Sequence, residues 1–157
     1  MSKLRVLIAD SEPVSRNLLQ SSLSYWGCEV ITVESGEQAC SIICARAIDL
    51  CILKCDLPGM NGIEVCQWLH STDVKHHPHV LLLAKRSSKK LLSDAYRVGA
   101  DDLLTTPFQL EELRTRVSAI AQRASRTRLY HQQPGQIDPL ECYRMDLAFI
   151  SKLPPQL

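Results

Sequence analysis

Aromatic side chains make up only 5% of this sequence, and neither sign of charge is in excess: 18 Lys and Arg stand against 17 Asp and Glu, a formal net charge of +1. With 45% of residues hydrophobic, the scarcity of aromatics leaves aliphatic side chains to fill an interior. The balanced charge argues against a globally basic nucleic-acid binder and against an acidic disordered tail. No stretch approaches the 18 or so consecutive apolar residues of a membrane span. The first apolar run passes directly into Asp10, Ser11 and Glu12 without a small-residue cleavage site, so neither export nor membrane insertion is expected. A disulfide framework is missing as well. The seven cysteines, Cys28, Cys40, Cys44, Cys51, Cys55, Cys66 and Cys142, are odd in number and lie mostly in apolar stretches, as reduced thiols in a cytoplasm would. At 157 residues there is room for one ordinary domain and a short extension.

What is present alternates. Residues 4–9 (LRVLIA) form a nearly continuous apolar run, as expected of a parallel strand covered on both faces. Pro13 then suits a first helical turn, with Val14, Leu18, Leu19, Leu23 and Trp26 on one predicted face and Gly27 as the stop. A second strand, EVITV over residues 29–33, precedes Ser35 and Gln38, spaced as a capping box. Residues 50–53 make a third strand, followed by a Pro58-Gly59 turn and by Asn61 and Glu64 as the caps of a third helix. Residues 80–84 and 102–104 supply two more strands around a helix ended by Gly99. The last helix starts near Leu110 and sets Leu110, Leu113, Val117, Ile120 and Ala124 in a seam that suits either a sheet or a partner helix. Repeated strand and helix units predict a three-layer α/β fold with a parallel sheet and right-handed crossovers. Functional residues are then expected just past the strands' carboxyl ends, near the switch in strand order.

Three stretches in the right order, VLIADSEPVSRNLL from Val6, DLCILKCDLPGMNGIEV from Asp49 and GADDLLTTPFQLEEL from Gly99, together resemble a bacterial response-regulator receiver domain over about residues 3–122. The resemblance implies a flavodoxin-like (βα)5 fold with strand order 2-1-3-4-5. It also implies an acidic pair after the first strand for magnesium, an Asp ending the third strand as phosphoacceptor, a Thr or Ser ending the fourth, and a Lys before the Pro after the fifth. At those positions this chain has Asp10 with Ser11, Lys54, Ala84 and Thr106, and an aromatic position on the fifth strand is Leu103. Only Asp10 retains its chemistry. Lys54 cannot form an acyl phosphate and repels a divalent cation, so no metal or other cofactor is expected and no enzymatic activity.

A buried ammonium needs a partner. Lys54 is expected either to pair with Asp10, with Ser11 or Asp56 as further acceptors, or to extend its stem and reach water. The function that remains is interaction: a pseudo-receiver that binds a protein partner or its own output domain, or dimerises, through the face of the fourth helix, fifth strand and fifth helix, with Leu92, Tyr96, Leu103, Leu104 and Val117 as candidate residues. The rival readings are an active phosphoacceptor that uses Asp56 with Asp10, and a small-ligand sensor in the vacated pocket. His76, His77 and His79, with His70 and Cys66 nearby, match no structural zinc spacing. The basic residues Lys85, Arg86, Lys89 and Lys90, and Arg114, Arg116, Arg123, Arg126 and Arg128, are expected to be mostly solvated. Residues 123–157 read as a helical extension, linker and tail that leads toward an output module.

Overall fold

In the computed structural model, residues 3–85 and 89–132 are described, with side chains taken as far as Ala124. Five strands, β1 (Arg5–Ala9), β2 (Glu29–Val33), β3 (Leu50–Lys54), β4 (His79–Lys85) and β5 (Asp102–Thr106), alternate with five helices. These are α1 (Pro13–Tyr25), α2 (Gly36–Ala45), α3 (Gly62–Ser71), α4 (Lys89–Arg97) and α5 (Leu110–Gln132). All neighbouring strands are parallel, in the order β2-β1-β3-β4-β5. This is the flavodoxin-like arrangement expected from the sequence.

Because side chains alternate along a strand, each apolar strand serves two cores. Leu7, Ala9, Cys51, Leu53, Leu82 and Leu103 face the layer of α2, α3 and α4. Val6, Ile8, Ile52, Leu81, Leu83 and Leu104 face α1 and α5. The seam of α5 packs on the sheet: Leu113, Val117 and Ile120 are fully buried, and Ala124 nearly so. At roughly 1.5–3 kcal/mol for each fully buried aliphatic side chain, that seam is a main anchor of the helix. The helix runs on without a break past residue 122. The remaining tail, 133–157, lies outside the described residues.

Several boundaries and faces differ from the sequence expectations. β4 and β5 extend to Lys85 and Thr106, because Ala84 and Lys85 pair with Thr105 and Thr106; backbone pairing carries polar residues into the sheet. On α1, Leu19 and Leu23 are buried and Trp26 packs with them, but Val14 and Leu18 face solvent. At 100° per residue the five predicted positions spread over about 180°, wider than the stripe that one sheet can cover. The expected interaction face also shrinks. Leu103, Leu104 and Val117 are buried, because β5 is covered by α4 on one side and α5 on the other. Tyr96 stays exposed and Leu92 is half-buried.

Caps match the turn chemistry. Asn61 and Glu64 form the complete box, with Glu64 N–H donating to Asn61 Oδ1 (2.8 Å) and Asn61 N–H donating to Glu64 Oε1 (3.2 Å). At α2, Ser35 Oγ accepts from Gln38 N–H, but the Gln38 amide reaches one residue further back, to the N–H of Glu34. Gly27 and Gly99, the expected helix stops, have φ of +89° and +78°, a left-handed conformation that glycine adopts without strain. Among the described residues no helix is long and apolar enough to cross a membrane.

Candidate functional site

The site is assembled by register. Ala9 of β1 pairs with Leu53 of β3, so the next residue of each strand, Asp10 and Lys54, emerge side by side at the carboxyl edge of the sheet. Asp10 is fully buried. Its backbone N–H donates to the carbonyl of Val33 (3.1 Å), and its Oδ1 accepts from the N–H of Glu12 (2.9 Å). That last bond folds the β1–α1 turn back on itself.

Lys54 Nζ lies 3.6 Å from Asp10 Oδ1 and 3.8 Å from Glu12 Oε2. The Lys54 side chain is 13% exposed, against 63% for Glu12. Of the two arrangements left open by the sequence, the ammonium adopts the paired one. Glu12 is the partner that sequence reasoning missed. Its signal was present, since it is an acidic residue two positions after Asp10 in the same turn, but only the turn's fold directs it toward Lys54. With two carboxylates around one ammonium, the trio has a formal charge of −1.

The other expected members are not drawn into this pair. Ser11 is exposed. Asp56 forms an ion pair with Lys85 (3.2 Å), which ties the loop after β3 to the end of β4. Ala84 is buried, and its carbonyl accepts a long bond from Thr106 Oγ1 (3.5 Å). Thr106 joins Pro107 through a cis peptide bond. Beside these groups lies an open cleft of about 730 Å³. Its walls include Ser11, Cys55, Asp56, Pro58, Asn61 and Leu91.

The remaining titratable clusters are occupied by structure. The ring N–H of His70 (Nδ1) donates to the carbonyl of Cys66 at 3.0 Å, and that of His77 (Nε2) to the carbonyl of Leu69 at 3.1 Å. The two rings meet edge to face, 5.6 Å apart. His76 is exposed and His79 opens β4. Among the described residues, no three His, Cys, Asp or Glu side chains are grouped to hold a metal ion. Burial pushes the Cys28 and Cys55 thiols up to about 12, and those of Cys40 and Cys66 to about 11, so these thiols stay protonated and unreactive at neutral pH. Of the basic residues, Arg116 pairs with Asp102 and Arg114 with Glu111. Arg86 and the side chains of Arg126 and Arg128 lie outside the described residues, as does Cys142.

A parallel 2-1-3-4-5 sheet with its charged site at the carboxyl edge defines a doubly wound α/β domain of the flavodoxin-like class. Residues 6–118 match the family model for the response regulator receiver domain. The chain belongs to that family, the receiver domains of two-component signalling. It is 33% identical over 124 residues to the transcriptional regulatory protein TrcR of Mycobacterium tuberculosis, a match covering 79% of this chain and 48% of TrcR. It is 34% identical over 122 residues to the response regulator MprA of Mycobacterium sp. (strain KMS), covering 78% of this chain and 52% of MprA. The chain thus spans about half the length of these curated relatives. Among solved structures, it is similar to the signal receiver domain of a signal transduction histidine kinase from Syntrophus aciditrophicus (TM-score 0.69, 26% identity, 74% of this chain and 88% of that one). The fold is also that of a CheY-like receiver domain protein from Methanospirillum hungatei JF-1 (TM-score 0.73, 18% identity, 80% and 99%).

Proposed function

We propose that this receiver domain acts without accepting a phosphoryl group, as a non-enzymatic cytoplasmic module that binds a protein partner or an attached output domain. One observation carries the reading: Lys54, the residue at which the resemblance sets the family's phosphoacceptor, holds its ammonium 3.6 Å from the buried Asp10 carboxylate. A carboxylate there would become an acyl phosphate; an amine cannot.

The residues do not fit a magnesium ion either. Such a site needs oxygen ligands in near-octahedral array, whereas here a fixed cation already sits against the carboxylate that would bind it, and Ser11 replaces an acidic ligand. Asp56, the rival acceptor, is engaged by Lys85 and makes no ion pair with the Asp10 trio among the described residues. The hydroxyl and aromatic positions that would relay a phosphate signal are Ala84 and Leu103, both buried and apolar. Of the surface expected to dock a partner, Tyr96 and the rim of Leu92 remain accessible on α4.

The test is intact-mass spectrometry after incubation with acetyl phosphate and magnesium, alongside a receiver domain that retains its aspartate. An unchanged mass is expected. A gain of one phosphoryl group overturns the reading, and its location on Asp56 would establish the rival.

A further inference from the structure

Four large hydrophobic side chains are exposed among the described residues, Val14, Leu18, Tyr25 and Tyr96, and three of them are on α1. Scattered apolar residues on a surface are ordinary, but these three are aligned. At 100° per residue, positions 14, 18, 21 and 25 fall within an arc of about 60°. Val14 is 84% exposed, Leu18 45% and Tyr25 67%, with the small exposed Ser21 between the last two. The stripe runs about 16 Å along the helix.

This face also lacks charge. The only charged residue of α1 is Arg16, and it is turned to other work: its guanidinium donates to the carbonyl of Asp10 (3.0 Å) and pairs with Glu34 (3.3 Å), which leaves the side chain 16% exposed. Each of the other four helices displays a charged residue at an exposed position: Glu37, Glu64, Lys89 and Glu111. A partner selected by charge would find nothing to recognise on α1. A second copy of the same surface would meet no like-charge repulsion and would desolvate no ion.

The spacing is self-complementary. Val14 and Tyr25 are equidistant from a midpoint between Leu19 and Gln20, and Leu18 and Ser21 share that midpoint. An antiparallel two-fold pairing of α1 with its copy therefore sets Val14 against the partner helix's position 25 and, at the same time, Leu18 against position 21. Leu18 meets the space above the partner's Ser21, Val14 meets the partner's Tyr25 in apolar contact, and residue i contacts j as j contacts i, which an isologous interface requires. Ser21 at the crossing permits the close approach of about 8–10 Å between helix axes.

From this alignment we infer that α1 is a homodimer interface, its Val14–Leu18–Tyr25 stripe packing antiparallel on the same stripe of a second copy. The homodimer expected from the sequence then forms on the opposite side of the sheet from α4, and not on the expected face, three of whose five candidate residues, Leu103, Leu104 and Val117, are buried. The inference is independent of phosphoryl chemistry, because the α1 face and the Lys54 site share no side chain.

Sedimentation equilibrium of the 157-residue chain tests it. Wild type should show a concentration-dependent monomer–dimer equilibrium. Leu18→Lys should weaken it by at least about tenfold, as expected for a charge placed at an interface centre. Adding Ser21→Glu to Leu18→Lys should restore it, since each new ammonium then faces a carboxylate of the partner helix. Val14→Lys, at a more exposed position, should also dissociate the dimer, while Tyr96→Lys should leave it intact. A strict monomer at the highest soluble concentration overturns the inference. So does a dimer that resists Leu18→Lys, or one that is broken by Tyr96→Lys.

Discussion

Replacing Lys54 with methionine keeps most of the stem's volume but removes the ammonium, and it tests whether Asp10 depends on its partner. At 3.6 Å, the Coulomb attraction is about 4–5 kcal/mol with an effective dielectric of about 20. Breaking a buried pair by deleting one member costs about 3–5 kcal/mol, because the other charge is left uncompensated. Asp10 is fully buried and Lys54 nearly so, so solvent screening does little to reduce this. Glu12, at 63% exposure, adds no more than the roughly 0–1 kcal/mol of a surface pair. We expect a loss of about 3–4 kcal/mol from a total stability on the order of 5–15 kcal/mol. With a slope of about 2 kcal/mol per molar in urea, the unfolding midpoint should fall by roughly 2 M.

The double variant Lys54→Met with Asp10→Asn should recover at least about half of that loss, because it removes the orphaned charge as well. Asparagine keeps an oxygen that can accept the Glu12 N–H, a bond of 2.9 Å. A single-variant loss below about 1 kcal/mol would place the pair in the surface class and refute the reasoning. Equal loss in the single and double variants would show that packing, and not charge, accounts for the effect.

Three further outcomes follow from other parts of the fold. Cys28 and Cys55 are held protonated by burial up to about 12, from an ordinary value of 9.0. The unfolded chain therefore binds fewer protons than the folded one between those values, and stability is full below about pH 9 and lost as pH rises, by about 1.4 kcal/mol per thiol per pH unit at most. Urea midpoints measured at about pH 8 and about pH 10 should differ in that direction, and equal midpoints would contradict it. Asn61→Ala removes the side-chain half of the α3 capping box and should cost about 1 kcal/mol by thermal or urea unfolding. Gly62→Ala would drive a Cβ into the backbone carbonyl of Lys54; the forced shift should destabilise by about 1–3 kcal/mol in the same assays.

The sequence alone determined the element order, the parallel sheet and the location of the site. Continuous apolar strands that alternate with capped helices allow few other topologies; three family-like stretches placed Asp10, Lys54 and Thr106 at the sheet's carboxyl edge, and the end of the fourth strand placed Ala84 there. The proposal that no acyl phosphate forms at Lys54 also rests on the sequence, because an amine in place of a carboxylate is a property of the residue and not of the fold. Tertiary structure decided the rest. Whether Lys54 pairs or reaches water depends on the distance between neighbouring strands, set by the register of Ala9 with Leu53. Glu12 joins the pair only because the β1–α1 turn closes on Asp10. Exposure was the property least legible in the sequence: Leu103 and Leu104 were candidates for an interaction face and are core, whereas Val14 and Leu18 were grouped with the apolar face of α1 and are exposed. Burial depends on which element covers a face, and helical periodicity names the apolar face without naming its cover.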